Sequence, residues 1–313
     1  MAYMIVLGAL FFLALKGFCG KKIALHTRHT GDAFLFNFLR IAICLIIGLI
    51  LVLVAGDGRF LAVDGGMLAI CALSGLANAG FLITWLLAIQ RNTMVTVDVS
   101  LTVGSLLPAV LCAILFAEAI SWQKMIGFVL ILLATAILAG YNKSVAKKSG
   151  LGGWILLILA AVSDGFIGFS QQLYNRYCAA GGGHEYPQSV YHFYTYVFAS
   201  IVLLIGFLAY TLSHRRNGEQ STTHEKWTAR YFLRHPLPLI MTMAICLFVA
   251  NYLQTTATGT FGMPSQVMYP MIKGGCLITV NVTACLFFGE KITPRSVLGS
   301  LVALGGIVVM NVL

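Results

Sequence analysis

The sequence predicts an all-α integral membrane protein in which ten transmembrane helices form two inverted five-helix repeats around a central cavity. Three observations carry that reading. Apolar residues make up 59% of the 313-residue chain and charged residues 10%, against roughly 45–50% and about 25% in soluble domains. Ten stretches reach the about 20 apolar residues that a hydrocarbon core of about 30 Å demands of a helix. Short motifs of the first half also return, in the same order, in the second half.

The spans fall near 2–25, 33–54, 66–89, 93–117, 122–141, 151–173, 188–211, 237–257, 263–288 and 294–313. They leave no room for a soluble catalytic domain. A barrel is excluded, because its strands run about 10 residues with alternating polarity. The fourth span tests this: "MVTVDVSLTV" at 94–103 alternates and is β-branched, yet it runs without a turn signal into "GSLLPAVLCAILFAE". In lipid only a helix satisfies such a backbone within one segment, so a helix is predicted. The opening "MAYM" has no basic leader, and Lys16 interrupts what would be the apolar core of a signal peptide. The first span is therefore expected to be retained.

Eight cysteines are scattered without a CxxC pair and read as small packing residues, with no metal or cofactor expected. "NVT" at 281–283 matches a glycosylation acceptor but lies inside a span. The formal charge of +10 would point a soluble chain toward nucleic acid. Here the positive-inside rule explains it, and no nucleic-acid partner is expected. Of 20 Lys and Arg, fourteen fall in odd-numbered loops, three (Arg59, Lys124, Arg176) in even loops and three (Lys16, Arg40, Lys273) within spans. That places the odd loops in the cytoplasm and both termini outside a plasma (inner) membrane. The longest loop, 213–235, mixes basic residues with Trp227, Tyr231 and Phe232, the composition of an interfacial segment.

The repeat is seen in three places. "LKGFCG" (15–20) pairs with "SDGFIG" (163–168), "LANAG" (76–80) with "VANYL" (249–253), and "LFAEAISWQKMIG" (115–127) with "FFGEKITPRSVLG" (287–299). These align Lys16 with Asp164, Asn78 with Asn251 and Glu118 with Glu290. The units are 1–142 and 151–313, joined by a linker at 143–150. Five spans is an odd number, so the second copy enters the membrane upside down, the arrangement that serves alternating access.

"FNFLRIAICLIIGLIL" (36–51), "FLITWLLAI" after Asn78, "SLLPAVLCAILFAEAISWQKMIGFVLILLATAIL" (105–138) and "MYPMIKGGCLITVNVTACLFFGEKITPRSVLGSLVALGGIVVMNV" (268–312) resemble EamA-type members of the drug/metabolite transporter superfamily. The resemblance covers nearly the whole chain and rests most on the close of each half: an apolar helix, Gly/Ala-Glu, a polar turn, then Gly in the next helix. It implies ten helices in two inverted halves that export, import or exchange small solutes. Members of that family are commonly drawn with both termini in the cytoplasm, the reverse of the charge bias here.

A charge at a helix centre costs roughly 2.5–3.5 kcal/mol on insertion scales, so it faces a cavity or a partner. Lys16, Asp164 and Lys273 lie near the middle of spans 1, 6 and 9, while Arg40 and Asp98 lie nearer the mouths of spans 2 and 4. Helical spacing aligns Asp164, Gly168, Gln171 and Asn175 on one face, Gln266, Tyr269 and Lys273 on another, and Asp98, Thr102 and Ser105 on a third. Ser and Thr in such stripes more often pack helices together than line a cavity. "YHFYTY" at 191–196 reads either as interfacial anchoring or as Tyr191 and His192 presented to a substrate. Three roles are open to the Lys16 and Asp164 pair: a structural ion pair, a pair that parts to grip a substrate, or a proton-coupling pair.

No GxxxxGK[ST] motif appears, so ATP-driven transport is unsupported, and neither a nucleophile with its base nor HExxH suggests an intramembrane enzyme. A channel would need a selectivity filter or rings of charge. The expectation is a non-enzymatic secondary transporter of a small polar metabolite, coupled to protons or a counter-substrate. The three intramembrane cations against Asp98 and Asp164 favour a zwitterion or organic anion, an amino acid or related compound; export of cationic or drug-like compounds is the alternative. The candidate binding or coupling residues are Lys16, Arg40, Asn78, Asp98, Asp164, Gln171, Tyr191, His192, Asn251, Tyr269 and Lys273.

Overall fold

The computed structural model describes residues 1–27, 30–56, 62–116, 121–145, 151–180, 185–216, 229–288 and 293–312. Among them the regular structure is all helix, joined by short turns, with no strand. In order, the helices are α1 (Ala2–Ala24), α2 (Thr30–Val54), α3 (Gly65–Arg91), α4 (Met94–Gly104), α5 (Leu106–Phe116), α6 (Trp122–Val145), α7 (Leu151–Ala179), α8 (Gln188–Arg216), α9 (Ala229–Arg234), α10 (Pro236–Gly259), α11 (Ser265–Phe288) and α12 (Pro294–Val312). Glu118, Glu290, the end of the linker (146–150) and most of the long loop (217–228) lie outside the described residues.

Among the described residues, seven segments are long and apolar enough to cross a bilayer: α1, α2, α3, the α4–α5 run from Thr96 to Phe116, α7, α8 and α10. Shorter apolar stretches lie in α6 (Trp122–Ile137), α11 (Val267–Val280) and α12 (Val297–Gly306). The molecule is a multi-pass, all-α membrane protein. Its surface agrees, because large aliphatic side chains such as Leu53, Ile114, Leu115, Ile158 and Ile205 are exposed while Lys16, Arg40, Asn37, Asn78, Gln171 and Asn251 are buried. In water that distribution would be inside out; in lipid it puts apolar groups against acyl chains and polar groups against each other.

Local chemistry explains the helix ends. Asp64 caps α3, its Oδ1 accepting from the Met67 amide at 2.7 Å, and Thr93 caps α4 through the Thr96 amide. Both satisfy amides that the first turn leaves unpaired. The alternating "MVTVDVSLTV" is helix, as predicted, but the fourth span breaks at Ser105. Pro108 supplies the cause: it has no amide to give the Gly104 carbonyl four residues back, and its ring crowds that carbonyl.

Around this break the packing is close. α7 lies along α3, α4 and α5; α1 lies along α10 and α11; α2 lies on α8, and α6 on α12. A Cβ on Gly165 of α7 would stand 2.8 Å from the Gly104 carbonyl oxygen and 2.7 Å from Leu107. A Cβ on Gly168 would meet Pro108 at 2.8 Å and the Tyr269 ring at 3.1 Å, and one on Gly20 would collide with the Trp85 ring. The glycines that flank Lys16 and Asp164 thus set helix separation rather than bending.

Gly165→Val is expected to lower stability by about 1–3 kcal/mol, the usual cost of overpacking. Gly305→Ala, where a Cβ meets nothing within 4 Å, should leave stability unchanged or slightly raised. Thermal unfolding of the two variants in detergent checks both; equal melting would remove Gly165 from the close crossing.

Candidate functional site

A small enclosed cavity of about 20 Å³ lies in the bundle interior and is lined by Lys16 of α1, Phe81 of α3, Asp164 of α7, Asn251 and Gln254 of α10, and Tyr269 and Lys273 of α11, with Ser105 and Pro108 at the α4–α5 break. Its volume suits roughly one water molecule. The three mid-span charges, distant in sequence, therefore border one space.

The pairing is not the one the repeat alignment points to. Asp164 binds Lys273: the Nζ lies 2.7 Å from Oδ1 and 2.7 Å from Oδ2, with both side chains largely buried. Lys16 makes no ion pair with Asp164. α1 packs on α10, α11 and α3, and α7 packs on α3, α4, α5 and α10, so the helices bearing Lys16 and Asp164 face each other across the cavity. Lys273 comes from α11, which closes the gap between them, and it takes both carboxylate oxygens.

Lys16 rests instead on aromatic faces, its Nζ 5.0 Å from the Phe81 centroid and 5.2 Å from that of Trp85. Those rings stack on each other at 6.0 Å. Lys273 approaches the same Phe81 at 6.0 Å, and Arg40 of α2 approaches Trp85 at 5.7 Å. Three cations are strung along a two-ring rail on α3. Each such contact is worth about 0.5–2 kcal/mol depending on desolvation.

The polar stripe of α7 leads away from this centre. The Tyr269 hydroxyl lies 2.6 Å from Gln171 Oε1 and 2.9 Å from the Gly168 carbonyl, and Asn175 donates to Thr258 at 2.7 Å. Thr102 of α4 and Ser105 at the break donate back to the carbonyls of Asp98 and Thr102, the packing role expected of Ser and Thr. Asp98 is half-buried one turn before Thr102 and does not line the cavity. Gln266 has no described side chain.

The remaining candidates separate. Asn251 lines the cavity and donates to the Tyr196 hydroxyl at 3.2 Å. Its repeat counterpart Asn78 does not line it; Asn78 donates to the Ser74 carbonyl four residues back. Tyr191, His192 and Tyr196 are buried in the bundle, which removes interfacial anchoring as their role. Tyr191 shares hydrogen bonds with Ser74 at 2.9 Å and Ser170 at 3.2 Å and stacks on Tyr174. His192 packs among Tyr196, Phe248 and Tyr252. Neither Tyr191 nor His192 borders the cavity.

Phe81, Trp85 and Gln254 went unread in the sequence. Helical spacing carried the signal: Phe81 follows Asn78 by three residues and Trp85 follows Phe81 by four, while Gln254 follows Asn251 by three. No group of three His, Cys, Asp or Glu side chains among the described residues is placed to hold a metal ion.

At the end of the bundle where α3 and α8 begin, Tyr177 and Tyr186 each donate to Asp64, to Oδ1 and Oδ2 respectively, both at 2.9 Å. Gln188 donates to the Tyr252 carbonyl at 2.8 Å and accepts from Thr256 at 3.0 Å. These bonds tie α3, α7, α8 and α10 together above the cavity.

No family model and no curated protein matches the chain. A solved structure described only as "Crystal structure of protein" is similar in fold: the TM-score is 0.68 and the identity 14%, with 99% of this chain and 97% of that chain covered. At that identity the likeness speaks of fold alone.

The buried pair yields a stability test. Removing one partner strands the other charge and costs about 3–5 kcal/mol, whereas replacing both with apolar groups of similar volume is far less costly. Asp164→Leu and Lys273→Met are each expected to melt well below the parent, and the double variant close to it. Additive losses in the double variant, read by thermal unfolding, would show that the pair carries no coupling.

Proposed function

We propose that this chain is an EamA-type secondary transporter that moves a small polar metabolite, a zwitterion or an organic anion, across the membrane by alternating access. The observation that carries the reading is the convergence of Lys16, Asp164 and Lys273 on one space inside a bundle whose outer surface is apolar. Intramembrane ionisable groups of this kind mark substrate and proton pathways.

Ten spans in two inverted halves give this site its mechanics. The helix pairings support such a relation. Counting α4 and α5 as one span, α1 on α10 corresponds to α7 on α3 when each span is matched to the one five places on, while α2 on α8 and α6 on α12 map onto themselves. Exchange of shapes between two such halves opens a central site to one side and then the other. The cavity is too small for a metabolite as it stands, so entry requires the helices to part. The Asp64–Tyr177–Tyr186 bonds lie where that parting would occur on one side.

Each polar group has a role on this reading. Lys16, with only ring faces against its ammonium among the described contacts, receives the solute's negative group. The Asp164–Lys273 pair either opens to hold a zwitterion's two charges or passes a proton. Asn251, Gln254 and Tyr269 supply neutral donors and acceptors. Arg40 reaches the Trp85 ring from α2 and does not line the cavity.

In proteoliposomes loaded with amino and organic acids, saturable uptake or exchange is expected. Lys16→Ala and Asp164→Ala should each lower it at least tenfold while the protein still elutes as a folded species. Normal flux in both variants would refute the site, and linear, unsaturable flux would favour a channel.

A further inference from the structure

Arg40 is the largest fully buried side chain in the molecule's described core, with 1% of its surface exposed. Its Nε and both terminal guanidinium nitrogens have no hydrogen-bond partner among the described residues. A guanidinium carries five N–H donors and stays charged, and a buried charge without donors' partners costs several kcal/mol. Trp85, at 5.7 Å, offers the cation a ring face but no acceptor. The side chain comes from α2 to the same Trp85 ring that Lys16 touches at 5.2 Å.

The carboxylate that borders the cavity is already committed. Both oxygens of Asp164 are taken by Lys273. Asp32, buried on α2 itself, does not satisfy Arg40, whose three nitrogens have no hydrogen-bond partner among the described residues, so positive charge stays uncompensated there. The excess falls on Lys16 and Arg40, which share the Trp85 ring. An oxyanion matches this arrangement, because a guanidinium fork binds two oxygens of a carboxylate or phosphate at once. A zwitterion's ammonium would meet no free carboxylate there.

We propose that Lys16 and Arg40 form an oxyanion subsite beside Trp85, and that the solute is a net anion bearing a carboxylate or phosphate rather than a zwitterion. The inference deepens the transport reading and rests on it for the word solute; the binding site itself stands apart from it. Arg40 engages its ligand once the bundle loosens enough for the anion to pass Lys16. The Asp164–Lys273 pair stays closed while the anion is bound and contributes no net charge.

The test is thermal unfolding of the purified full chain in detergent with millimolar sodium succinate or sodium phosphate, against sodium chloride at equal ionic strength and against glycine. At about tenfold excess over Kd, the oxyanions should raise Tm by roughly 3 °C. Glycine should leave it unchanged. Arg40→Gln and Lys16→Met should abolish the rise. Without anion, Arg40→Gln should melt at or above the parent, because it removes a stranded charge; a structural arginine would give the opposite. The inference fails if neither oxyanion stabilises the parent beyond chloride, if the rise survives in Arg40→Gln, or if glycine stabilises as well. Flux in proteoliposomes keeps the two readings apart. Oxyanion binding without flux would overturn transport and leave the subsite, whereas saturable zwitterion flux without oxyanion binding would overturn the subsite and leave transport.

Discussion

An ion pair inside an apolar bundle is the constraint from which the rest follows. Lys273 holds both oxygens of Asp164 at 2.7 Å, and neither charge has lipid as an alternative. The pair fixes the register of α11 against α7. Tyr269, one helical turn before Lys273, then lands on the Gly168 carbonyl and Gln171. Gly168 must lack a side chain for that ring to sit so close. A single electrostatic contact thereby dictates a hydrogen bond, a glycine and the wall of the cavity.

The break in the fourth span belongs to the same construction. Pro108 frees the Gly104 carbonyl, and that oxygen would stand only 2.8 Å from a Cβ on Gly165. Irregular backbone at membrane depth is tolerated where protein covers it or a wet cavity adjoins it, and Ser105 and Pro108 line the cavity. Gly165 and Asp164 are neighbours in sequence. The residue that lets α7 approach the break and the one that pairs with Lys273 are therefore placed together by one turn of helix.

How much of this the sequence disclosed depended on the kind of force involved. Seven of the ten expected spans were legible because lipid imposes length and apolarity, and the helical reading of "MVTVDVSLTV" followed from backbone hydrogen bonding alone. The mid-span positions of Lys16, Asp164 and Lys273 were legible because a charge is conspicuous in an apolar run. Which two would pair was not. Repeat alignment matched Lys16 with Asp164, but pairing is set by which helices adjoin, and α11 lies between α1 and the break. Phe81 and Trp85 were overlooked because a ring facing a cation and a ring facing lipid are the same letter. The burial of Tyr191 and His192 was hidden for a related reason: aromatic residues near a span's end suit either the interface or a packed interior.

The choice of partners around Lys16 and Arg40 bears on how such a bundle could release what it binds. A carboxylate placed against either cation would neutralise it permanently, as Asp164 does for Lys273, and would leave a ligand nothing to gain. An aromatic face does something weaker. It contributes about 0.5–2 kcal/mol, enough to orient a cation in a dry interior but not to satisfy its N–H groups. The cation remains under-coordinated, so an arriving oxyanion adds charge-assisted hydrogen bonds without first displacing a strong partner. Departure leaves the cation on its ring rather than bare. On the proposed reading, the stacked Phe81 and Trp85 serve as placeholders that keep the charges available, and the Asp164–Lys273 pair confines the excess to the side where an anion is received.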